Sequence, residues 1–237
     1  MNTRQSLDSV KQSVERQEDF FLLRVLDNSL RYQVYTDGLR EDVFAWIEDF
    51  RSSSEICSIK NFPDQKGNAS KLIIERITGR PSIFIFGAGH VGQALALTST
   101  LLGYEVVVVD DRAEFASRKR LPDTRIKLIV DDFDKAIKSL PMGTRSAAVI
   151  VTRGHQFDEI CLENLLRLPL SYLGMIGSKR RVMSIFKRLS QQGFADSDLS
   201  KVHAPVGLSI GARSPQEIAI AILAEIIAEA NKVRLNK

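Results

Sequence analysis

The sequence predicts a doubly wound α/β fold over residues 81–237. Three observations carry that expectation: apolar runs alternate with segments of helical pattern, the runs lack the polar alternation of a half-exposed strand, and a glycine-rich turn joins the first run to its helix. The runs are "SIFIFG" (82–87), "EVVVVD" (105–110), "IKLIV" (126–130), "AAVIVT" (147–152) and "LSYLGMIG" (170–177). Helical patterns follow at 90–102, around 113–119, at 132–140, 157–167 and 179–192, so right-handed crossovers make the sheet mostly parallel. A last helix over 216–230 is announced by Ser214-Pro215-Gln216-Glu217, a capping box with proline at the first helical position. Its apolar face serves either the core or a dimer contact.

Residues 1–80 read as a separate, small α+β region. Leu7, Val10, Val14, Phe21 and Val25 recur at helical spacing and predict a helix to about Asn28. "RYQVYTDG" reads as a strand running into an Asp-Gly turn, "VFAWIEDF" fits a helix or a strand, and "NFPDQKGNAS" (61–70) reads as a linker loop.

Composition narrows the function classes. A chain of 237 residues, 44% hydrophobic and 26% charged, can bury a substantial core. A net charge of +4 from 33 basic and 29 acidic residues is mild, and no basic face interleaved with aromatics argues for nucleic acid. Cys57 and Cys161 lie about a hundred residues apart, with no CxxC pair, which fits a reducing compartment. The polar start "MNTRQSLDSVKQSVERQEDF" has no signal-type apolar region and no run reaches membrane length, so the expectation is a cytoplasmic protein. No spacing of His, Cys, Asp and Glu resembles a metal site.

The chemistry-bearing stretch is Gly87-Ala88-Gly89-His90-Val91-Gly92, between the first strand and the first helix. Gly87 permits a tight turn, Gly89 lets backbone approach a pyrophosphate, and Gly92 allows close packing of the helix. The helix start adds unpaired N–H groups and a partial positive charge, against which His90 is a neutral hydrogen-bonding group rather than a cation. "VVVVDDR" then places Asp110 at the end of the second strand, 18 residues after Gly92, where a carboxylate accepts from ribose hydroxyls. Together these specify a Rossmann-type domain for a nucleotide-like ligand. Asp111 adjoins the site, and Arg112 either reaches an extra phosphate or is solvated.

Other polar groups fall at the carboxyl ends of strands, where ligands sit in open parallel sheets. "TRGHQFD" supplies Thr152, Arg153, Gly154, His155 and Asp158: Arg153 suits an anion, while His155 and Asp158 are the candidate proton carriers. Thr152 and His155 suit helix capping equally. Gly177, Ser178 and Lys179 open a basic helix and form either a second anion site or an ordinary cap. The glycine-bearing stretch 202–213 suits backbone packed against a ligand or across the sheet edge. Cys161 reads as a buried thiol.

Taken together, "FGAGHVGQALA", "VVVVDDR", "VTRGHQFD", "YLGMIGSKRR" and "VHAPVGLSIGARSPQEIAIAILAEIIA" resemble the XdhC/CoxI family of xanthine dehydrogenase accessory factors over about residues 80–230. The resemblance implies a cytoplasmic, homodimeric maturation factor. It would bind the molybdenum cofactor (molybdopterin type), act beside a cysteine desulfurase and deliver the cofactor to an apo molybdenum hydroxylase, without turnover of its own. The glycine turn with Asp110, Asp111 and Arg112, and the "TRGH" and "GSKRR" loops, carry over. The alternative from the glycine turn and Asp110 alone is an NAD(P)-dependent oxidoreductase. The front of the chain departs from the family: longer members hold a glycine-rich "GGC" stretch, whereas residues 1–80 contain only Cys57, in "EICSIK".

Overall fold

The computed structural model describes residues 20–26, 31–32, 41–52, 55, 57–63, 69–77 and 80–231. The chain forms two compact units, residues 1–79 and 80–237.

The first unit is an antiparallel sheet of order β2-β1-β4-β3 carrying one described helix. Its elements are β1 (Phe20–Leu26), β2 (Arg31–Tyr32), α1 (Glu41–Ser52), β3 (Cys57–Pro63) and β4 (Ala69–Ile77). The helix expected up to Asn28 is replaced over Phe20–Leu26 by β1, which pairs along its whole length with β4, from Phe20 opposite Ile77 to Leu26 opposite Lys71. Seven residues rich in branched and aromatic side chains satisfy either period, and the available ladder decides. Leu7, Val10 and Val14 lie outside the described residues. The "VFAWIEDF" segment is helical: Val43, Trp46 and Phe50 recur on one face and are buried with Leu23, Leu72 and Ile74. The expected linker at 61–70 instead contributes strand ends, with Pro63 opposite Ala69.

The second unit holds β5 (Ser82–Phe86), α2 (His90–Leu101), β6 (Glu105–Asp110), β7 (Lys127–Val130), α3 (Phe133–Ser139), β8 (Ser146–Ile150), α4 (His155–Leu165), β9 (Tyr172–Met175), α5 (Lys179–Gln191), α6 (Asp196–Leu199), β10 (Val202–His203) and α7 (Pro215–Ala230). All six strands pair in parallel, in the order β7-β6-β5-β8-β9-β10. This is the Rossmann arrangement, whose strand order reverses between β5 and β8 and so opens a crevice at their carboxyl ends. Alternate strand residues serve opposite faces. Ile83, Ile85, Val106 and Val108 pack under α2 and α7, while Phe84, Phe86, Val107 and Val109 pack under α3, α4 and α5. Burial on both faces is why the strands read as unbroken apolar runs. Each such side chain contributes roughly 1.5–3 kcal/mol.

One expected helix is absent. Residues 113–119 form turns, because the Arg118 guanidinium donates to the carbonyls of Asp123 (2.6 Å) and Ile126 (2.8 Å) and gathers the chain into a compact loop. Ala116, Leu121 and Ile126 drop from that loop into the core. Helix α7 is a core helix on the α2 face, with its capping box formed as read from sequence.

Cys161 is buried in α4, and burial, with Asp158 nearby, pushes its thiol well above the ordinary range. Cys57 is exposed. With Ellman's reagent at neutral pH, Cys57 should react promptly and Cys161 only after unfolding; two fast thiols in the native protein would contradict this packing.

Candidate functional site

The glycine turn sits at the point where the sheet order reverses. The Gly87 amide donates to Val109 of β6 (2.8 Å), and the Val151 amide, just past β8, donates to Phe86 (2.9 Å). Gly87 has φ +116°, and a Cβ there would press into the Val151 peptide, with its carbonyl carbon 2.7 Å away. A Cβ on Gly92 would run into the Gly87 peptide, whose carbonyl carbon lies at 3.0 Å and whose oxygen lies nearer still. Both glycines therefore serve the fold. Gly89 differs: its φ of −70° is ordinary, and nothing lies within 4 Å of where its Cβ would be. Among the described residues, the amides of Gly89, His90, Val91 and Gly92 meet no backbone acceptor; the first ladder bond runs from Gln93 to Gly89 (2.9 Å). No side chain caps this helix start. An open glycine below a row of unspent donors suits an anionic group.

The carboxylates around this turn are committed within the protein. Asp110 is 1% exposed; its Oδ2 accepts from the Ala88 amide (2.7 Å), and its two oxygens take the Arg112 side chain at 2.8 and 3.0 Å. The expected ribose acceptor is thus an anchor that ties the glycine turn to the end of β6. Arg112, expected to be either phosphate-binding or solvated, is held by Asp110 and stacks on Phe115, its Cζ 3.6 Å from the ring centroid. Asp111 is paired with Arg153 across 42 residues, the second guanidinium nitrogen at 2.8 Å, and this donor holds its carboxyl below the usual range. Arg153 also lies over the Phe157 ring at 4.4 Å.

Asp158, a candidate proton carrier, is fully buried. It accepts from the Thr152 hydroxyl and from Arg181, which joins the end of β8 to the start of α5. Thr152 serves this link, and Gly154 caps α4 without a side chain. His155 begins α4, but its side chain lies outside the described residues. Ser178 is an ordinary cap, accepting from the Arg181 amide at 3.3 Å, while Lys179 is exposed beside it. Of the expected set, the glycine turn, Asp110–Arg112 and Thr152–Asp158 come together around the crevice.

Arg181, read in the sequence as part of the basic "GSKRR" loop, is the partner of Asp158. One feature went unread in the sequence: Glu225, an acid inside the apolar α7, whose Oε2 accepts from Tyr172 and from the Gly207 amide, both at 2.7 Å. Its neighbour His203 stacks on Tyr172 with ring centroids 4.5 Å apart, and the group pins the 203–207 loop to α7. Among the described residues no three His, Cys, Asp or Glu side chains gather as metal ligands, and no helix is long and apolar enough to cross a membrane.

Comparison with known proteins agrees with the Rossmann fold. The family model described as the XdhC Rossmann domain matches residues 83–226. An uncharacterized protein of Escherichia coli K12, YqeB, is 34% identical over 161 residues, covering 68% of this chain and 29% of its own. A Bacillus subtilis protein described as a probable xanthine dehydrogenase subunit is 30% identical over 187 residues, covering 79% of this chain and 53% of its own. The chain thus spans about half or less of these relatives. A crystal structure of a xanthine dehydrogenase from Bacillus halodurans superposes with a TM-score of 0.68 over 98% of this chain and 68% of its own, at 24% identity, a likeness of fold.

Proposed function

Since the chain belongs to the XdhC family through its Rossmann domain, we propose that it is an accessory factor for a xanthine dehydrogenase-type molybdenum hydroxylase. In this reading it holds the molybdenum cofactor by its phosphate and passes it to the apo-enzyme. The observation that carries the reading is the open Gly89 beneath the unspent amides of residues 89–92. A phosphate there would meet backbone donors on a helix start, a fit that needs no charged side chain. The cofactor brings the phosphate and the metal-bearing pterin; the chain's part is to seat and shield it. Carrying rather than turnover is favoured because Asp110, Asp111 and Asp158 are each held by an arginine within the fold. Homodimerisation and a desulfurase partner belong to the same proposal.

The test is purification of the full chain from cells that make the cofactor, with molybdenum and oxidised pterin measured per protein. Gly89→Asp puts a carboxylate in the phosphate's place and should abolish both signals with an unchanged melting curve, since space is open at that Cβ. Tight NADH binding without cofactor uptake would instead favour the nicotinamide reading, to which the strand order lends its support.

A further inference from the structure

Past the end of β6, at Asp111, lies a cavity of about 280 Å³ between the start of α3 and the first turns of α4. Phe133, Phe157 and Ile160 form its apolar walls, and Asp111, Asp132, Asp134 and Lys135 stand on its polar side. The two rings meet edge to face at 5.6 Å and 64°. Arg153, bonded to Asp111, spreads its guanidinium over Phe157 at the rim. Planar cation and aromatic ring together make a stacking platform for a flat heterocycle. Pockets for whole drug-sized ligands begin at roughly 300 Å³, so this one suits a single fused ring and not an entire cofactor.

Asp132 brings a carboxylate to the start of α3 on the cavity. It is the N-cap of α3, yet its side chain does not cap the helix. Its carboxylate instead meets Lys135 at 3.0 Å in a pair whose two side chains are both 68% exposed, a link that exchanges readily. A carboxylate has two acceptor oxygens and no donor, so it matches a ring edge that offers two adjacent N–H donors. The amino-oxo-pyrimidine edge, shared by pterins and guanine, presents a ring N–H beside an exocyclic amine. Adenine and cytosine present an amine beside an acceptor nitrogen, which sets a lone pair against the second oxygen.

We infer that this cavity seats the amino-oxo-pyrimidine ring of the carried cofactor, with Phe157 and Arg153 stacking it and Asp132 reading its edge. The inference rests on the carrier reading above. The chain connects the two sites, because Asp111 on the cavity directly follows Asp110, the anchor of the Ala88 amide. Two sources share this ring edge: the pterin itself, or a guanine on a dinucleotide form of the cofactor.

The test uses phosphate-free probes on the full chain: neopterin by fluorescence quenching, and guanosine, adenosine and cytidine by competition. Neopterin or guanosine should bind about tenfold or more tightly than adenosine or cytidine, and Asp132→Asn should erase that margin at an unchanged melting temperature. Phe157→Leu should weaken binding of every ring. Neopterin ahead of guanosine assigns the seat to the pterin; the reverse assigns it to the nucleotide. Equal binding of adenosine, indifference to Asp132→Asn, or no binding of any probe overturns the inference. Gly89→Asp separates the two proposals, because it should abolish cofactor uptake and leave neopterin binding as it was. If the cofactor is taken up through Gly89 while neopterin is ignored, the carrier reading stands and the ring seat falls.

Discussion

Gly92→Ala is expected to destabilise the second unit by about 3 kcal/mol, the upper end for forcing atoms into a filled space. The added methyl would enter the Gly87 peptide, which is backbone and has no rotamer to escape into. Nor does Gly87 yield easily: its φ of +116° is fixed between Val109, which accepts its amide, and the Val151 peptide against its Cα. Helix α2 must therefore lift from the turn, loosening Leu95 and Ala94 in the core. Urea unfolding measures the loss, and Gly89→Ala is the control, expected within a few tenths of a kcal/mol of wild type because its Cβ meets nothing. A Gly92→Ala protein as stable as the control would show that the turn is softer than described.

The second large effect is expected at Asp158→Ala, again by urea unfolding. Removing one partner of a buried ion pair costs about 3–5 kcal/mol, since the other charge is left without compensation. The lower figure applies here, because Arg181 keeps 21% of its side chain exposed and can turn toward water, whereas Asp158 has none exposed. The Thr152 hydroxyl loses its acceptor in the same step. Adding Arg181→Met should recover part of the loss, as it removes the stranded charge. No recovery would place the effect in Thr152 and the start of α4 instead.

How far these features were readable follows from what holds each of them. Ile83 to Phe86 announced a central strand because both faces of that strand are core, and no polar residue was available to suggest otherwise. Gly87 and Gly92 were readable because a backbone requirement is written in the residue type itself. The turns at 113–119 were hidden because one side chain, Arg118, overrides a helical pattern by binding carbonyls up to 8 residues ahead. Phe20–Leu26 was misassigned because the partner that makes it a strand, β4, begins more than 40 residues later. The same limit hid the working state of the acids. Asp111 and Arg153 are 42 residues apart, and Asp158 and Arg181 are 23, so nothing local told that these charges are neutralised in pairs. The cavity walled by Phe133 and Phe157 was unreadable for that reason too, since each wall belongs to a different crossover.

The links at the sheet's carboxyl edge bear on timing. Asp110 fastens the glycine turn to β6, Asp111 and Arg153 fasten β6 to β8, and Asp158 and Arg181 fasten β8 to α5. In the proposed carrier role, segments laced in series would leave little to settle when the cofactor arrives, so uptake would run at the pace of encounter and not of rearrangement. Departure would then have no internal clock. For a carrier, that leaves the moment of handover to be set by the enzyme that receives the cargo.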